Sequence, residues 1–178
     1  MKSLVSSLHL KTMPLSLAGV VLGSLLAVAD FHVYWPVVPA VISAAASLHV
    51  YQYGGNKIAL VPSAVFAVLS VYFSFGKLLL LESLLLLLFT YFVMRLAAGF
   101  LSTGKGRVAD AIVLTLLTGP VAVFGTYYLC SHSFGSWVLL FPALSVGIIA
   151  AATVGLADGF SKTAVAVMTA ASLALMIV

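Results

Sequence analysis

The residues that could bind an anion or carry acid–base chemistry are few, because the chain has only four acidic and eight basic residues among 178. Its most polar segment, residues 102–107, holds Lys105 and Arg107 between glycines. Backbone amides and two cations in such a loop could cradle a phosphate. Gly106, however, stands where a nucleotide-binding loop needs serine or threonine, and an apolar segment rather than a strand precedes it. The simpler interpretation is a basic loop on the cytoplasmic side of a membrane.

A second set of candidates consists of two aspartates and a lysine. Asp110 follows Arg107 by about one helical turn, a spacing that allows a local ion pair worth about 0.2–0.5 kcal/mol. Asp110 is either a helix-start carboxylate stabilised by the helix dipole or a polar group at the mouth of a substrate cavity, and both interpretations stay open. Asp158 and Lys162 lie together in a later polar break of the chain.

Three further ionisable residues lie within or beside apolar stretches, where such residues are functional candidates. Glu82 is either an acid lining a cavity or, the favoured interpretation, an interfacial residue close to Lys77. Arg95 could bind an anionic head group or a diphosphate, although extension of the side chain to the interface is favoured. His49 has no neighbouring metal-ligand partner in sequence, so it is predicted to pack between helices rather than to hold a metal.

The composition indicates that these residues sit in a membrane protein. Hydrophobic residues make up 63% of the chain and charged residues 7%, against about 45–50% and 25% in soluble domains. Only helices or closed barrels satisfy their backbone within a bilayer, and the leucine-rich run at 78–88 lacks the alternation of a barrel strand. The single cysteine, Cys130, excludes an intramolecular disulfide. The net charge of +4 is spread along the chain, which argues against nucleic-acid binding.

The apolar segments predict an all-α fold, a polytopic transmembrane helical bundle of about seven spans. A span needs about 20 residues, and short polar breaks separate the segments, so residues 1–178 are predicted to form one transmembrane domain. The basic residues before the first segment could also belong to a signal peptide, but the length of that segment favours a retained helix. The predicted spans are residues 13–29, 34–53, 58–75, 78–100, 108–129, 137–156 and 163–178.

The distribution of basic residues predicts the orientation of the bundle. With the N-terminus in the cytoplasm, seven of the eight basic residues fall on the inner side and only Lys77 falls outside; an excess of lysine and arginine marks cytoplasmic loops. Tyr34, Trp35 and Trp137 then fall at the outer interface, where aromatic rings prefer to lie. We therefore expect a multi-pass protein of the inner (cytoplasmic) membrane.

Several segments together carry a family resemblance. They are residues 11–23 (KTMPLSLAGVVLG), 104–110 (GKGRVAD), 118–128 (TGPVAVFGTYY) and 141–147 (FPALSVG). The first resembles the R-x-x-T-L-P-L-S-…-V-L-L-G start of the UbiA-type membrane prenyltransferases, and most closely that of the 1,4-dihydroxy-2-naphthoate prenyltransferases of menaquinone synthesis. The second and third resemble the G-L-G-D/E … G-P-V-A-V-x-G-T-Y-Y segment of that branch, and the fourth resembles its next helix. Their order and spacing match over nearly the whole chain.

The resemblance implies transfer of a polyprenyl group from a diphosphate to an aromatic ring. In that family, Mg²⁺ held by carboxylates neutralises the leaving diphosphate. Two aspartate-rich motifs supply the carboxylates at the cytoplasmic ends of helices two and six. The orientation predicted above would put both corresponding loops of this chain on the cytoplasmic side.

The chain departs from the family at both motifs. Residues 49–53 read HVYQY in place of Asn-Asp-x-x-Asp, and residues 155–163 read GLADGFSKT, in which Asp158 is the one remaining aspartate. The family has about nine helices, whereas about seven are predicted here. By resemblance, Asp158 is a metal-ligand candidate, and the substrate-binding candidates are Lys105, Arg107, Asp110 and Lys162.

Three functions are compatible with this pattern. The first is a prenyltransferase homologue with weak or no Mg²⁺-dependent activity, a pseudoenzyme, because Mg²⁺ usually needs one or two carboxylates besides the phosphates. The second is a non-catalytic membrane protein that binds lipid, polyprenyl diphosphate or quinone, or supports an assembly. A small transporter is disfavoured, because the sequence has no chain of interior charges and no matched pair of broken helices.

Overall fold

The chain is all-α, as the sequence predicts, in the computed structural model. The structure describes residues 13–30, 34–54, 57–77, 79–85, 87–89, 91, 108–133, 135–157 and 161–177, and no β-strand occurs among them. The helices follow the apolar segments closely, because the polar and glycine-containing breaks between those segments are where helices end.

Seven helices can be defined within the described ranges. Helix α1 spans Met13–Ala29, α2 spans Val37–Gly54, and α3 spans Leu60–Phe75 after a 3₁₀ turn at Lys57–Ala59. Residues 80–85 and 87–89 are helical and are named α4. Helix α5 runs without interruption from Val108 to Ser131, and its middle turn, Leu117–Val121, is a π-helix. A 3₁₀ turn at Trp137–Leu139 leads into α6, Leu140–Ala157, and α7 spans Lys162–Ile177.

Two helical stretches of the described residues are long and apolar enough to cross a bilayer. They are Lys57–Phe75, with a mean hydropathy of 2.1, and Ala111–Ser131, with a mean hydropathy of 1.7. In the other helices, the apolar stretches that the structure describes fully are shorter, between 10 and 17 residues.

Helices α1, α3 and α5 end at the same end of the bundle, which we call the aromatic end because Tyr34, Phe75 and Tyr128 lie there. The Tyr127 hydroxyl of α5 donates to Asp30 at the end of α1, and the Ser74 hydroxyl of α3 donates to the Leu129 carbonyl of α5 at 2.7 Å. The second half of α5 packs on α1, its first half packs on α6, α2 packs on α3, and α6 packs on α7.

Small residues allow the helices to approach closely. A Cβ added at Gly19 would overlap the Thr118 carbonyl, and one added at Gly147 would overlap the Thr115 carbonyl. Gly119 faces Ala143 of α6 in the same way. Close backbone approach through glycine is characteristic of helix pairs in membranes.

Proline explains the wide turn in α5. Pro120 lies inside the π-helical turn and has no N–H to donate to the preceding turn. The Thr118 hydroxyl donates a hydrogen bond to the Leu114 carbonyl at 2.7 Å. The Ala122 N–H donates to the Gly119 and Leu117 carbonyls. Single π turns are rare and occur frequently at functional sites. This turn lines the cavity described next.

Candidate ligand-binding cavity

An apolar cavity of about 160 Å³ lies between α1, α2, α3, α4 and α5. Its wall contains aliphatic and small residues from all five elements, together with three hydroxyls. The lining residues are Val20, Val41, Ala44, Ala45, Leu48, Ser63, Ala67, Leu87, Phe89, Leu117, Thr118, Val121, Ala122, Gly125, Thr126 and Leu129.

The α5 side of the cavity owes its shape to the π turn and to one glycine. Leu117, Thr118 and Val121 of that turn contribute to the wall. One helical turn further, a Cβ added at Gly125 would meet no heavy atom within 4 Å. Gly19 is packed against a backbone carbonyl, whereas the missing side chain of Gly125 leaves open space.

The three hydroxyls in the wall are not equivalent. Ser63 donates to the Ala44 carbonyl at 3.0 Å, and Thr118 donates to the Leu114 carbonyl at 2.7 Å. Thr126 is 5% exposed, and its hydroxyl has no hydrogen-bond partner among the residues that the structure describes. A buried hydroxyl without a partner is unusual and requires a reason.

The described lining residues give the cavity an apolar wall without an acid–base group. No carboxylate, imidazole or cation is among its lining residues. In the part of the chain described by the structure, no three His, Cys, Asp or Glu side chains come together as a metal site. Asp158, the metal-ligand candidate implied by the family resemblance, lies outside the described residues.

Among the site residues predicted from sequence, Lys162 is the one whose side chain the structure describes, and it is not in the cavity wall. Lys105, Arg107 and Asp158 lie outside the described residues. Asp110 is a helical residue of α5, and its side chain lies outside the description. Lys162 begins α7 and is exposed. Next to it, Ser161 caps α7 by accepting from the Ala164 N–H at 3.1 Å and lines a separate, wider groove beside α5 and α6.

Among the other ionisable candidates, Glu82 is exposed on α4, and Arg95 lies outside the described residues. His49 is fully buried within α2. The predicted packing position of His49 is therefore confirmed, and the described residues around it form no metal cluster.

Sequence reasoning missed a polar cluster at the aromatic end. The His132 ring stacks on the Phe75 ring with centroids 5.0 Å apart and an interplanar angle of 9°. The centroid of the Tyr34 ring lies 4.7 Å from that of His132. His132 Nε2 is 2.8 Å from Ser74 Oγ. No role was predicted for His132 from sequence. It ends α5 with a positive φ of 55°, and a helix end at a residue other than glycine has no simple sequence signal.

Ser74 and His132 are as close as a nucleophile and its general base. The hydrogen bond between them, however, runs from histidine to serine, opposite to the direction that a general base requires. The Leu129 carbonyl can only accept, so the single Ser74 proton is donated to it. The His132 ring must then donate its Nε2–H to Ser74. A serine that is 3% exposed and keeps its proton on a backbone carbonyl is a structural link between α3 and α5, not a hydrolase nucleophile.

Comparison with known proteins gives no family assignment. No protein-family model matches the chain, and searches of curated proteins and of solved structures found no significant match.

Proposed function

We propose that the chain is a multi-pass protein of the inner (cytoplasmic) membrane that binds an apolar lipid in the cavity between α1 and α5. In this proposal it is a homologue of the UbiA-type prenyltransferases, with weak or no prenyl transfer to 1,4-dihydroxy-2-naphthoate. The observation that carries the binding part is the cavity itself, which has an apolar wall and lies between five helical elements.

The exposed surface supports the membrane part of the proposal. Large apolar side chains project outward along several helices, for example Ile58 (77% exposed), Leu81 (66%) and Val167 (62%). Isolated apolar residues are common on soluble proteins, but extended apolar surfaces mark contact with a membrane or a partner. Trp35 and Trp137 are also exposed, as expected of rings at a bilayer interface.

The interior supports the same conclusion because it contains small polar residues. Ser63, Ser70, Ser145 and Ser172 are fully buried, whereas serine is mostly exposed in soluble proteins. Ser145 and Ser172 bond each other across α6 and α7 at 3.1 Å. Hydroxyl bonds and small residues between helices are typical of membrane bundles, where lipid is as apolar as the side chains it contacts.

The topology can be tested with single cysteines, because Cys130 is the sole native cysteine and is buried. In a Cys130→Ala background, cysteines replace the exposed residues Lys57, Lys77 and Lys162. We expect an impermeant maleimide to label only position 77 from the outer side, and positions 57 and 162 only after the membrane is opened. Labelling of all three from outside would overturn the proposed orientation.

The weak or absent activity follows from the missing carboxylates. Residues 49–53 contain no acid, and none occurs among the described lining residues of the cavity, so Asp158 would have to anchor Mg²⁺ with little help. The same observations favour the second candidate function, a non-catalytic protein that binds a polyprenyl lipid or quinone or supports a membrane assembly.

A transfer assay distinguishes the two. Purified protein is incubated with polyprenyl diphosphate, 1,4-dihydroxy-2-naphthoate and Mg²⁺, with Asp158→Ala as the control. We expect little or no product from either protein, together with retained lipid binding. Robust transfer that disappears in Asp158→Ala would show an unusual metal site and would contradict the pseudoenzyme proposal.

A further inference from the structure

We propose that the cavity binds a single-ring apolar molecule carrying a carbonyl-type acceptor, and that the Thr126 hydroxyl donates a hydrogen bond to that acceptor. A single-ring quinone head group belongs to this class. The inference rests on the proposed function, which requires an apolar ligand in the cavity, and adds the chemical group that the ligand must present.

The first step is the unused proton of Thr126. The described residues offer its hydroxyl no partner, although the side chain is almost fully buried and lines the cavity. Other hydroxyls on these helices bond a carbonyl one turn back, as Ser24 does with Val20 and Thr118 with Leu114. A buried donor without a partner carries a desolvation cost, which a ligand acceptor would remove.

The second step is that a water molecule is a poor substitute for such a ligand. Buried waters usually make two to four hydrogen bonds, and cavities with apolar walls stay dry. The other two hydroxyls in the wall, Ser63 and Thr118, already donate to backbone carbonyls. An oxygen attached to an apolar ring needs only one donor, and the ring itself contacts the aliphatic wall.

The third step is size. The volume of about 160 Å³ is close to that of an engineered apolar cavity of about 150 Å³ that holds one benzene molecule. One ring with a short substituent therefore matches the space. Gly125, one residue before Thr126, leaves its side of the cavity open and gives a way to fill the space without disturbing the hydroxyl.

The test compares two ligands of nearly equal shape. Acetophenone has a carbonyl oxygen at the position where α-methylstyrene has a methylene group. Binding is measured to the full chain in lipid nanodiscs, with empty nanodiscs subtracted. The variants are Thr126→Val, which removes only the free hydroxyl, and Thr118→Val, which removes a hydroxyl in the same wall that is already bonded. Gly125→Leu fills the cavity. Circular dichroism and the thermal midpoint check that each variant is folded.

We expect wild type to prefer acetophenone, and Thr126→Val to lose roughly 2- to 10-fold of that preference, the range of one hydrogen bond. Thr118→Val should keep the preference, and Gly125→Leu should bind neither ligand. Equal binding of both ligands to wild type, or a preference unchanged in Thr126→Val, overturns the inference but leaves the proposed function intact. Failure of wild type to bind either ligand overturns the inference and the cavity-binding part of the proposed function.

Discussion

The Tyr127 hydroxyl donates a 2.5 Å hydrogen bond to the Asp30 carboxylate, which ties α5 to the end of α1 across 97 residues of sequence. Tyr127 is buried, whereas Asp30 is exposed. The neighbouring backbone makes a second link, because the Tyr34 N–H donates to the Cys130 carbonyl at 3.0 Å. These two bonds fix how the aromatic ends of α1, α2 and α5 meet.

Removal of that hydroxyl should destabilise the bundle. We expect Tyr127→Phe to lower the free energy of unfolding by about 1 kcal/mol, the usual net value of a hydrogen bond, because Asp30 stays hydrated when its partner is lost. Asp30→Asn keeps an acceptor oxygen and should cost less. Thermal unfolding in detergent measures both. Tyr72→Phe is the control, since Tyr72 is exposed, and equal midpoints for Tyr127→Phe and Tyr72→Phe would contradict this prediction.

Two glycines of α5 should respond to alanine in opposite directions. Gly125→Ala places a methyl group in open space and removes a helix-interior glycine, so it should stabilise by about 0.5–1 kcal/mol. Gly119→Ala places the same methyl group against the Ala143 carbonyl and should destabilise by roughly 1–3 kcal/mol. Unfolding midpoints of the two variants test this, and a shift of the same sign in both would show that the α5–α6 packing described above is wrong.

The Ser74 proton predicts the tautomer of His132. Because Ser74 donates to the Leu129 carbonyl, the neutral His132 ring should carry its proton on Nε2. Nitrogen-15 NMR of the imidazole distinguishes the two tautomers. In Ser74→Ala the preference should weaken, and stability should fall by about 1 kcal/mol. If His132 in the wild-type protein carries its proton on Nδ1 and none on Nε2, the hydrogen-bond assignment is contradicted.

Ser145 and Ser172 should stabilise the contact between α6 and α7. Ser145 lies 3.0 Å from the Ser172 carbonyl and 3.1 Å from its hydroxyl, and such bonds in membrane bundles average about 0.6 kcal/mol. A double-mutant cycle with Ser145→Ala and Ser172→Ala should give a coupling of that order. Thr169→Ala is the control, because Thr169 bonds within its own helix. Strictly additive effects of the two serine changes would exclude an interaction across the helices.

The helices were predictable from sequence because hydrophobicity and breaks are local properties. Residues 13–29 were predicted as one apolar segment, and α1 covers the same residues. The ends were less predictable: α2 begins at Val37 rather than at residue 34, because Trp35 and Pro36 form a turn. The π turn in α5 was not predicted, since a proline such as Pro120 within an apolar segment does not show how the helix rearranges around it.

The cavity could not be predicted because it depends on which faces of distant helices meet. Ionisable groups stand out in an apolar chain, so most site residues predicted from sequence came from the polar breaks around Lys105 and Asp158. Thr126 is one of many hydroxyl residues, and only the structure shows that the described residues around it offer its hydroxyl no partner. The sequence likewise does not distinguish Gly119, which is packed against α6, from Gly125, which is beside open space.

The central claim, that the cavity binds an apolar ligand, is tested most directly by equilibrium binding of a radiolabelled single-ring quinone. The protein is held in lipid nanodiscs as wild type, Gly125→Ala and Gly125→Leu. We predict saturable binding by wild type and Gly125→Ala, and loss of saturable binding in Gly125→Leu, whose larger side chain occupies the open side of the cavity. Equal saturable binding by all three, with Gly125→Leu folded, would contradict the claim.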